Sequence, residues 1–268
     1  MPYITLISDW QQGDYYLAAV KGKLYSLVPS LTLIDITHQV MPFNSKMAAF
    51  ILRNSYRAYP KGTIHIICVN TLPEQNCPYV AVLHKGQYFL GADNGIFSLI
   101  TDNKIEQAVH LEYSAYTTFP EYDILAEAAA FLANGGDIHQ LGEPYQPVAM
   151  QQILPSFHEN TIRGLIIYVD SYGNLISNIS KEYFFQKKNE PYFEIALDWG
   201  YYRINTLSER YESNKNGAPT ALFNSLGLLE ITIFMGSASK TLKVHEGDEI
   251  TVRFLKEKPT QGTKSSLF

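Results

Sequence analysis

Apolar positions in the first half of the chain follow two alternating spacings. Short runs rich in branched and aromatic residues predict strands at YITLIS, LTLIDIT, TIHIICV and YVAVLH. Residues 14–27 and 45–59 instead carry helical spacing, and the second helix is expected to stop before Pro60. A third helix is predicted after Asp123 as its N-cap, ending near Gly135. This alternation predicts an α/β domain with a mixed or mostly parallel sheet.

The pattern changes after a proline-containing stretch of weak periodicity. Beyond it, strand-like runs joined by polar turns follow one another at TIRGLIIYVD, YFEIALDW, ALFNSLGLLEITIF and DEITVRF. We therefore predict an α/β N-terminal domain over residues 1–145, a linker over 146–160, and a smaller, mainly β, barrel-like C-terminal domain over 161–268.

Composition narrows the classes of function. A formal net charge of −5 without clustered Lys and Arg argues against a nucleic-acid partner. No apolar run is long enough to cross a bilayer, and the first residues lack the features of a signal peptide, so a cytoplasmic protein without a membrane partner is expected. Two cysteines without a CxxC pair and histidines outside any HExxH spacing predict no metal and no cofactor.

Two carboxylates, Asp9 and Asp14, lie between the first predicted strand and the first helix. No glycine-rich phosphate loop accompanies them, so this strand end suits hydroxyl groups or a positive charge rather than phosphate. An adenosine derivative such as a sulfonium would fit. For Asp14 alone, a helix N-cap is the simpler interpretation.

The stretch YVDSYGNLISNIS forms the second group of candidate residues. Asp170, Tyr172 and Asn174 crowd a turn that Gly173 allows to bend. They offer a carboxylate for an ammonium, a ring for stacking and an amide for a base edge. A plain hairpin turn is the alternative interpretation.

Six segments in the same order resemble the S-adenosylmethionine (SAM) hydroxide adenosyltransferase family, which is related to fluorinase and chlorinase: LISDWQQGDYYLAAVKG, IDITHQVMPF, AAFILRNSYRAYPKGTIHIICV, YFLGADNGIFSLI, VDSYGNLISNIS and FNSLGLLEI. The resemblance covers nearly the whole chain. It implies a homotrimer with sites between subunits, in which water attacks C5′ of SAM in line and methionine leaves, giving adenosine.

The resemblance also implies roles for individual residues. In the N-terminal half, Asp9 would hold the ribose hydroxyls, with Asp14 at a nearby acidic position and Phe43 on the ribose side. In the C-terminal half, the implied roles are ammonium binding by Asp170, stacking on adenine by Tyr172, hydrogen bonding to adenine by Asn174, and contact with the methionine carboxylate by Ser225.

The residues that activate water in family hydrolases do not align. The family has an Asp-Pro-Gly-Val-Gly motif followed by an arginine where this chain reads NTLPEQNCP, and Thr-Phe-His-Gly-Arg-Asp where it reads TFPEYD. Asn70 thus replaces the aspartate, Cys77 or Pro78 the arginine, and Pro120 the histidine. Glu121 could activate water from a shifted position, but a solvated surface residue is the expected interpretation.

These observations leave three functions open. The first is a SAM-binding family member with weak or atypical hydrolysis. The second is a non-catalytic sensor of SAM or adenosine, and the third is a trimeric scaffold whose pocket is closed by Trp10 beside Asp9. Leu226, next to Ser225, stands where some relatives have an arginine, which favours adenosine as an alternative ligand.

Overall fold

The structure is a computed structural model that describes residues 2–11, 13–71, 77–113, 117–197, 202–213 and 217–259. The chain divides into two compact units, Met1–Gln152 and Ile153–Phe268. In its described part, no helix is long and apolar enough to cross a membrane.

The N-terminal unit contains a mixed β-sheet with helices. Its described strands are β1 (Tyr3–Ser8), β2 (Thr32–Thr37), β3 (Ile64–Cys68), β4 (Tyr79–His84), β5 (Gln87–Ala92) and β6 (Gln107–His110). They lie in the order β2-β1-β3-β5-β4-β6, and β4 runs antiparallel to both of its neighbours. The described α-helices are α1 (Tyr15–Leu27), α2 (Ser45–Ser55), α3 (Ile96–Thr101) and α4 (Ala126–Ala133). The predicted α/β class with a mixed sheet is confirmed.

Helices cover both faces of this sheet. Ile4 and Leu6 of β1 belong to an apolar cluster with Val20 of α1 and with the buried alanines of α4. Ile7 points to the opposite face and belongs to a second cluster, which includes Leu52 of α2. Because β1 is buried on both faces, its sequence reads as an almost continuous apolar run.

The parallel pairing of β1, β2 and β3 determines where the functional residues lie. β1 pairs with β2 on one side and with β3 on the other, both in parallel. The carboxyl ends of these strands therefore meet at one edge of the sheet. Asp9, the loop that contains Phe43, and Asn70 all follow these strand ends.

The C-terminal unit is rich in β-structure. Its described strands are β7 (Ser156–His158), β8 (Thr161–Val169), β9 (Leu175–Ser180), β10 (Tyr192–Leu197), β11 (Tyr202–Ile204), β12 (Leu207–Ser208), β13 (Thr220–Phe223), β14 (Leu228–Thr232) and β15 (Glu249–Leu255). They lie in the order β11-β10-β15-β8-β9-β14-β13-β12, with β7 beside β8. The described α-helices of this unit are short: α5 (Lys181–Lys187) and α6 (Ala238–Leu242). The fully buried Phe184 of α5 contacts the rings of Phe193, Phe223 and Phe254 within its core.

The predicted start of the third helix was wrong. A π-helical segment, Glu121–Leu125, precedes α4, so Asp123 lies inside the helical stretch and is not its N-cap. The Asp123 carboxylate accepts a hydrogen bond from the Thr117 hydroxyl instead. Pro120 occupies the first turn, where a missing N–H costs nothing, and this allows the helix to begin earlier than Asp123.

Candidate functional site

The Asp9 carboxylate joins two loops at the edge of the N-terminal sheet. Its Oδ2 accepts the backbone N–H of Phe43 at 2.9 Å and that of Asn70 at 3.3 Å. Phe43 follows β2 in the sequence and Asn70 follows β3, so one half-buried side chain fixes both strand exits. The structure thus brings together three of the sequence-predicted residues, Asp9, Phe43 and Asn70.

Three residues at this edge of the sheet have left-handed backbone conformations. Gln11, Phe43 and Asn70 all have positive φ, at 62°, 64° and 50°. Each such non-glycine position costs of order 1–3 kcal/mol and persists only where surrounding contacts enforce it. The Asn94 amide supplies one of these contacts by donating to the Asn70 carbonyl at 3.1 Å. Sequence reasoning did not identify Asn94, because its partner is distant in the chain.

A chain of polar side chains that runs from the buried Ser8 to the exposed Asp35 supports the end of β1. The Ser8 hydroxyl and His38 Nδ1 are 2.7 Å apart, and His38 Nε2 lies 3.2 Å from Asp35 Oδ1. Lys21 donates to the other oxygen of Asp35 at 2.6 Å. Ser8 is fully buried and His38 is buried, so these residues stabilise the strand end next to Asp9.

Glu121 is buried, which contradicts the expectation of a solvated surface residue. Its side chain is only 5% exposed, and its Oε1 accepts a hydrogen bond from the Thr71 hydroxyl. Burial raises the pKa of the Glu121 carboxyl above its usual range; the Thr71 hydrogen bond opposes this rise and the negative charge of Asp9 adds to it. Thr71 directly follows Asn70, whose backbone N–H donates to Asp9. Glu121 and Asp9 are therefore connected through two adjacent residues of the loop after β3.

Aromatic rings surround the beginning of this helix. Phe119 contacts Trp10 and Tyr16, with ring centroids 6.2 Å and 5.2 Å apart, and stacks on Tyr122 at 5.6 Å. Trp10 follows Asp9 in the chain, and Glu121 lies between Phe119 and Tyr122. Asp9 and Glu121 therefore lie in the same region of the N-terminal unit, next to a cluster of aromatic rings.

The other N-terminal candidates lie at different positions. Asp14 is exposed and has the backbone geometry of the α1 N-cap, but its side chain makes no capping hydrogen bond. Cys77 and Pro78 are half-buried just before β4, and Pro120 is buried immediately before Glu121. Residues 72–76, the rest of the loop after β3, lie outside the described residues.

In the C-terminal unit, Asp170 organises the turn between β8 and β9. Its Oδ1 accepts the backbone N–H groups of Tyr172 and Asn174 at 3.0 Å and 2.8 Å, and its Oδ2 accepts from the Asn174 amide at 2.9 Å. Gly173 has a φ of +83°, and a Cβ there would lie 2.0 Å from Ser237 Oγ. The turn therefore requires both the acceptor at 170 and glycine at 173.

This turn borders a cleft of about 610 Å³. Asp170, Tyr172 and Asn174 line it together with Tyr211 and residues 232–236. Tyr172 is 79% exposed, so one ring face is available to a ligand. Such a cleft, with a few polar groups around apolar surface, is typical of a small-molecule site.

A second buried carboxyl, Glu230, lies behind this cleft. Burial raises its pKa, while hydrogen bonds from Asn224 and Tyr211 oppose the rise. Burial and the charge of Glu230 raise the pKa of Tyr211 to about 12, so the phenol stays neutral. Ser225 lies apart from the lining residues, on the exposed tip of the turn between β13 and β14, next to Asn224.

Within the described ranges, no three His, Cys, Asp or Glu side chains are grouped so that they could hold a metal ion.

The N-terminal unit thus contains a strand edge anchored by a carboxylate in an α/β fold, and the C-terminal unit contains a polar and aromatic cleft in a β-rich fold. Residues 4–142 match the model of the SAM hydroxide adenosyltransferase N-terminal domain, and residues 164–251 match that of its C-terminal domain. The chain belongs to this family.

Characterised relatives include enzymes of two kinds. The (R)-S-adenosyl-L-methionine hydrolase of Methanocaldococcus jannaschii is 28% identical, over 93% of this chain and 95% of its own length. The fluorinase of Actinopolyspora mzabensis is 21% identical, over 94% of this chain and 97% of its own length. Among solved structures, an uncharacterised conserved protein from Thermotoga maritima has a TM-score of 0.84 at 25% identity, covering 93% of this chain and 99% of that one.

Proposed function

We propose that this protein binds SAM and hydrolyses it to adenosine and methionine, with activity that is weak or organised differently from that of other family hydrolases. The observation that carries the proposal is the Asp9 carboxylate, fixed by two backbone N–H groups at the edge of the sheet. Curated relatives named (R)-SAM hydrolases support it, since they align along nearly the whole chain.

The proposed ligand contacts fall into two half-sites. The Asp9 half-site is the edge of the N-terminal sheet around Asp9, and the Asp170 half-site is the cleft of the C-terminal unit. Asp9 would accept the ribose hydroxyls, with Phe43 beside the ribose and Asp14 nearby. In the cleft of the C-terminal unit, Asp170 would face the ammonium, Tyr172 would stack on adenine and Asn174 would pair with its edge. Ser225, which lies outside the lining of this cleft, would contact the methionine carboxylate. A cation bearing a sulfonium and an ammonium suits this excess of carboxylates.

The atypical character rests on the residues that replace the water-activating triad. Asn70 cannot accept a proton as a carboxylate does, and the Pro120 side chain carries neither a base nor a donor. Positioning the reactants in line supplies a large part of such a rate acceleration, so hydrolysis does not depend on this triad alone.

A non-catalytic protein that binds SAM or adenosine is the second candidate function. Asn70 and Pro120 favour it, because a sensor needs the ligand frame without the groups that activate water. The two candidate functions differ in whether bound SAM is cleaved or is released unchanged.

The deciding experiment incubates the purified full chain with each sulfonium epimer of SAM and follows ligand and products by mass spectrometry. Catalytic release of adenosine and methionine above a protein-free control supports hydrolysis; intact ligand retained without products supports the binding protein. If the protein neither releases products nor retains ligand, the result supports a scaffold with a closed pocket.

The site itself is tested with Asp9→Asn. We expect ligand affinity or turnover to fall about 10- to 100-fold, as for the loss of a hydrogen bond to a charged group. Asp102→Asn is the matched control, because it removes a carboxylate of the same unit that pairs with Arg53 at the surface. Equal behaviour of the two variants would contradict the assigned role of Asp9.

We further propose a homotrimer with sites between subunits, no nucleic-acid partner, and a cytoplasmic location. Exposed apolar side chains at both half-sites support the assembly, since Phe43 is 67% and Met235 is 92% exposed in the single chain. The acidic net charge of −5 agrees with the absence of a nucleic-acid surface.

A further inference from the structure

We propose that Glu121 is the base that takes the proton from the attacking water, in place of the family triad. This inference rests on the proposed hydrolysis and adds a catalytic residue to it. In the step, the water oxygen bonds to C5′ and the C5′–S bond breaks with its electron pair going to sulfur. The water proton passes to the Glu121 carboxylate and then to solvent.

The first support is the position of Glu121. Its Oε1 accepts from the hydroxyl of Thr71, and the preceding residue, Asn70, donates its backbone N–H to Asp9. Asn70 and Pro120 are the replaced triad positions, and Glu121 directly follows Pro120. The Glu121 carboxylate therefore links the segment after β3 to the start of the π-helical segment, the two segments in which the triad residues are replaced.

The second support is the local structure of the helix. Glu121 begins a π-helical segment, whose backbone differs from that of an ordinary first turn. Such π-segments are frequently found at functional sites. Among described side chains, Glu121 interacts electrostatically with three titratable groups: Asp9 directly after β1, Cys68 on β3 and Tyr16 on α1.

The third support is the division of the two carboxylates into different environments. Asp9 is half-buried and accepts the backbone N–H groups of Phe43 and Asn70, whereas Glu121 is buried and accepts from the Thr71 hydroxyl. Two nearby acids in different surroundings can take different roles, one binding the ligand and the other transferring a proton.

The test is Glu121→Gln, assayed for both hydrolysis and binding. The amide keeps the shape and can still accept from Thr71, but it cannot take a proton. We expect kcat to fall about 10²- to 10⁴-fold, the range for general-base catalysis, with adenosine affinity unchanged. Glu127→Gln is the matched control, since it makes the same change in helix α4 at a side chain that pairs with Lys23 at the surface.

The pH profile gives a second readout. A base must be deprotonated, so wild-type kcat should rise with pH through the raised pKa of Glu121, and this limb should disappear in Glu121→Gln. Because burial penalises the charged carboxylate, the fold loses stability as pH rises through that pKa. The Gln variant should therefore have a higher Tm than wild type at neutral pH, with the difference vanishing at low pH.

Thr71 provides a variant that leaves Glu121 in place. Thr71→Ala should lower kcat with little change in KM, and Thr71→Ser should restore it, since serine keeps the hydroxyl. Wild-type kcat and pH profile in Glu121→Gln would overturn the role of Glu121 while leaving hydrolysis standing. A wild-type protein that binds SAM without products would instead overturn the proposed hydrolysis together with its base.

Discussion

Single carboxylates in this protein combine a structural role with a proposed ligand role. Asp170 holds its turn through three hydrogen bonds and is also the residue proposed to face the ligand ammonium. Truncation to alanine would remove both functions at once. A variant that keeps the acceptor and removes only the charge separates them.

Asp170→Asn is that variant. Its amide oxygen can still accept the two backbone N–H groups, and the Asn174 amide can turn over to present its oxygen. We expect affinity for S-adenosylhomocysteine, which keeps the ammonium but is not a sulfonium, to fall about tenfold or more. Adenosine affinity should be unchanged, and isothermal titration calorimetry measures both ligands. Equal losses for the two ligands would refute the ammonium contact.

At the scale of elements, the turn between β8 and β9 depends on a glycine for two independent reasons. Gly173→Ala introduces a Cβ that meets Ser237 and places alanine at positive φ, whereas Gly247→Ala, at a φ of +93°, meets no atom within 4 Å. We expect the control to cost about 1–3 kcal/mol from backbone strain alone. Gly173→Ala should cost more, measured as the free energy of unfolding in urea. Equal costs would mean that the contact with Ser237 yields without penalty.

Sequence patterns located elements best where a strand is continuous and buried. β1 and β4 begin and end at the predicted residues, because their apolar runs stop at polar turns. The seven-residue helix α5 is too short for a helical period to stand out. The start of the helical stretch before α4 was misplaced because Asp123 has N-cap chemistry but pairs with Thr117.

The candidate site was predictable only in part, because many of its contacts join residues that are distant in the sequence. Asp9 could be singled out because a carboxylate at a strand exit is chemically conspicuous. Its hydrogen bonds to the backbone of Phe43 and Asn70 could not be predicted, since these residues lie 34 and 61 positions away in the chain. The burial of Glu121 likewise depends on Thr71, 50 residues away, and on the aromatic rings around Phe119. Local sequence does not encode such contacts.

At the scale of the whole molecule, the proposed assembly determines which chain completes each site. A homotrimer should have three times the chain mass of 30.3 kDa by light scattering. In a closed cyclic trimer, each site would combine the Asp9 half-site of one subunit with the Asp170 half-site of a neighbour. This arrangement can be separated from a site made within one chain by mixing two inactive variants.

We expect Asp9→Ala and Asp170→Ala each to lose most adenosine release as homotrimers, because each disables one half of every site. If equal amounts are co-refolded, random assembly gives about a quarter of the sites two wild-type halves, and activity should return to about that fraction. Homotrimers mixed after folding provide the control for exchange. Sites built within single chains would give no recovery in either mixture, because every chain carries one damaged half, and that result would overturn the proposed arrangement between subunits.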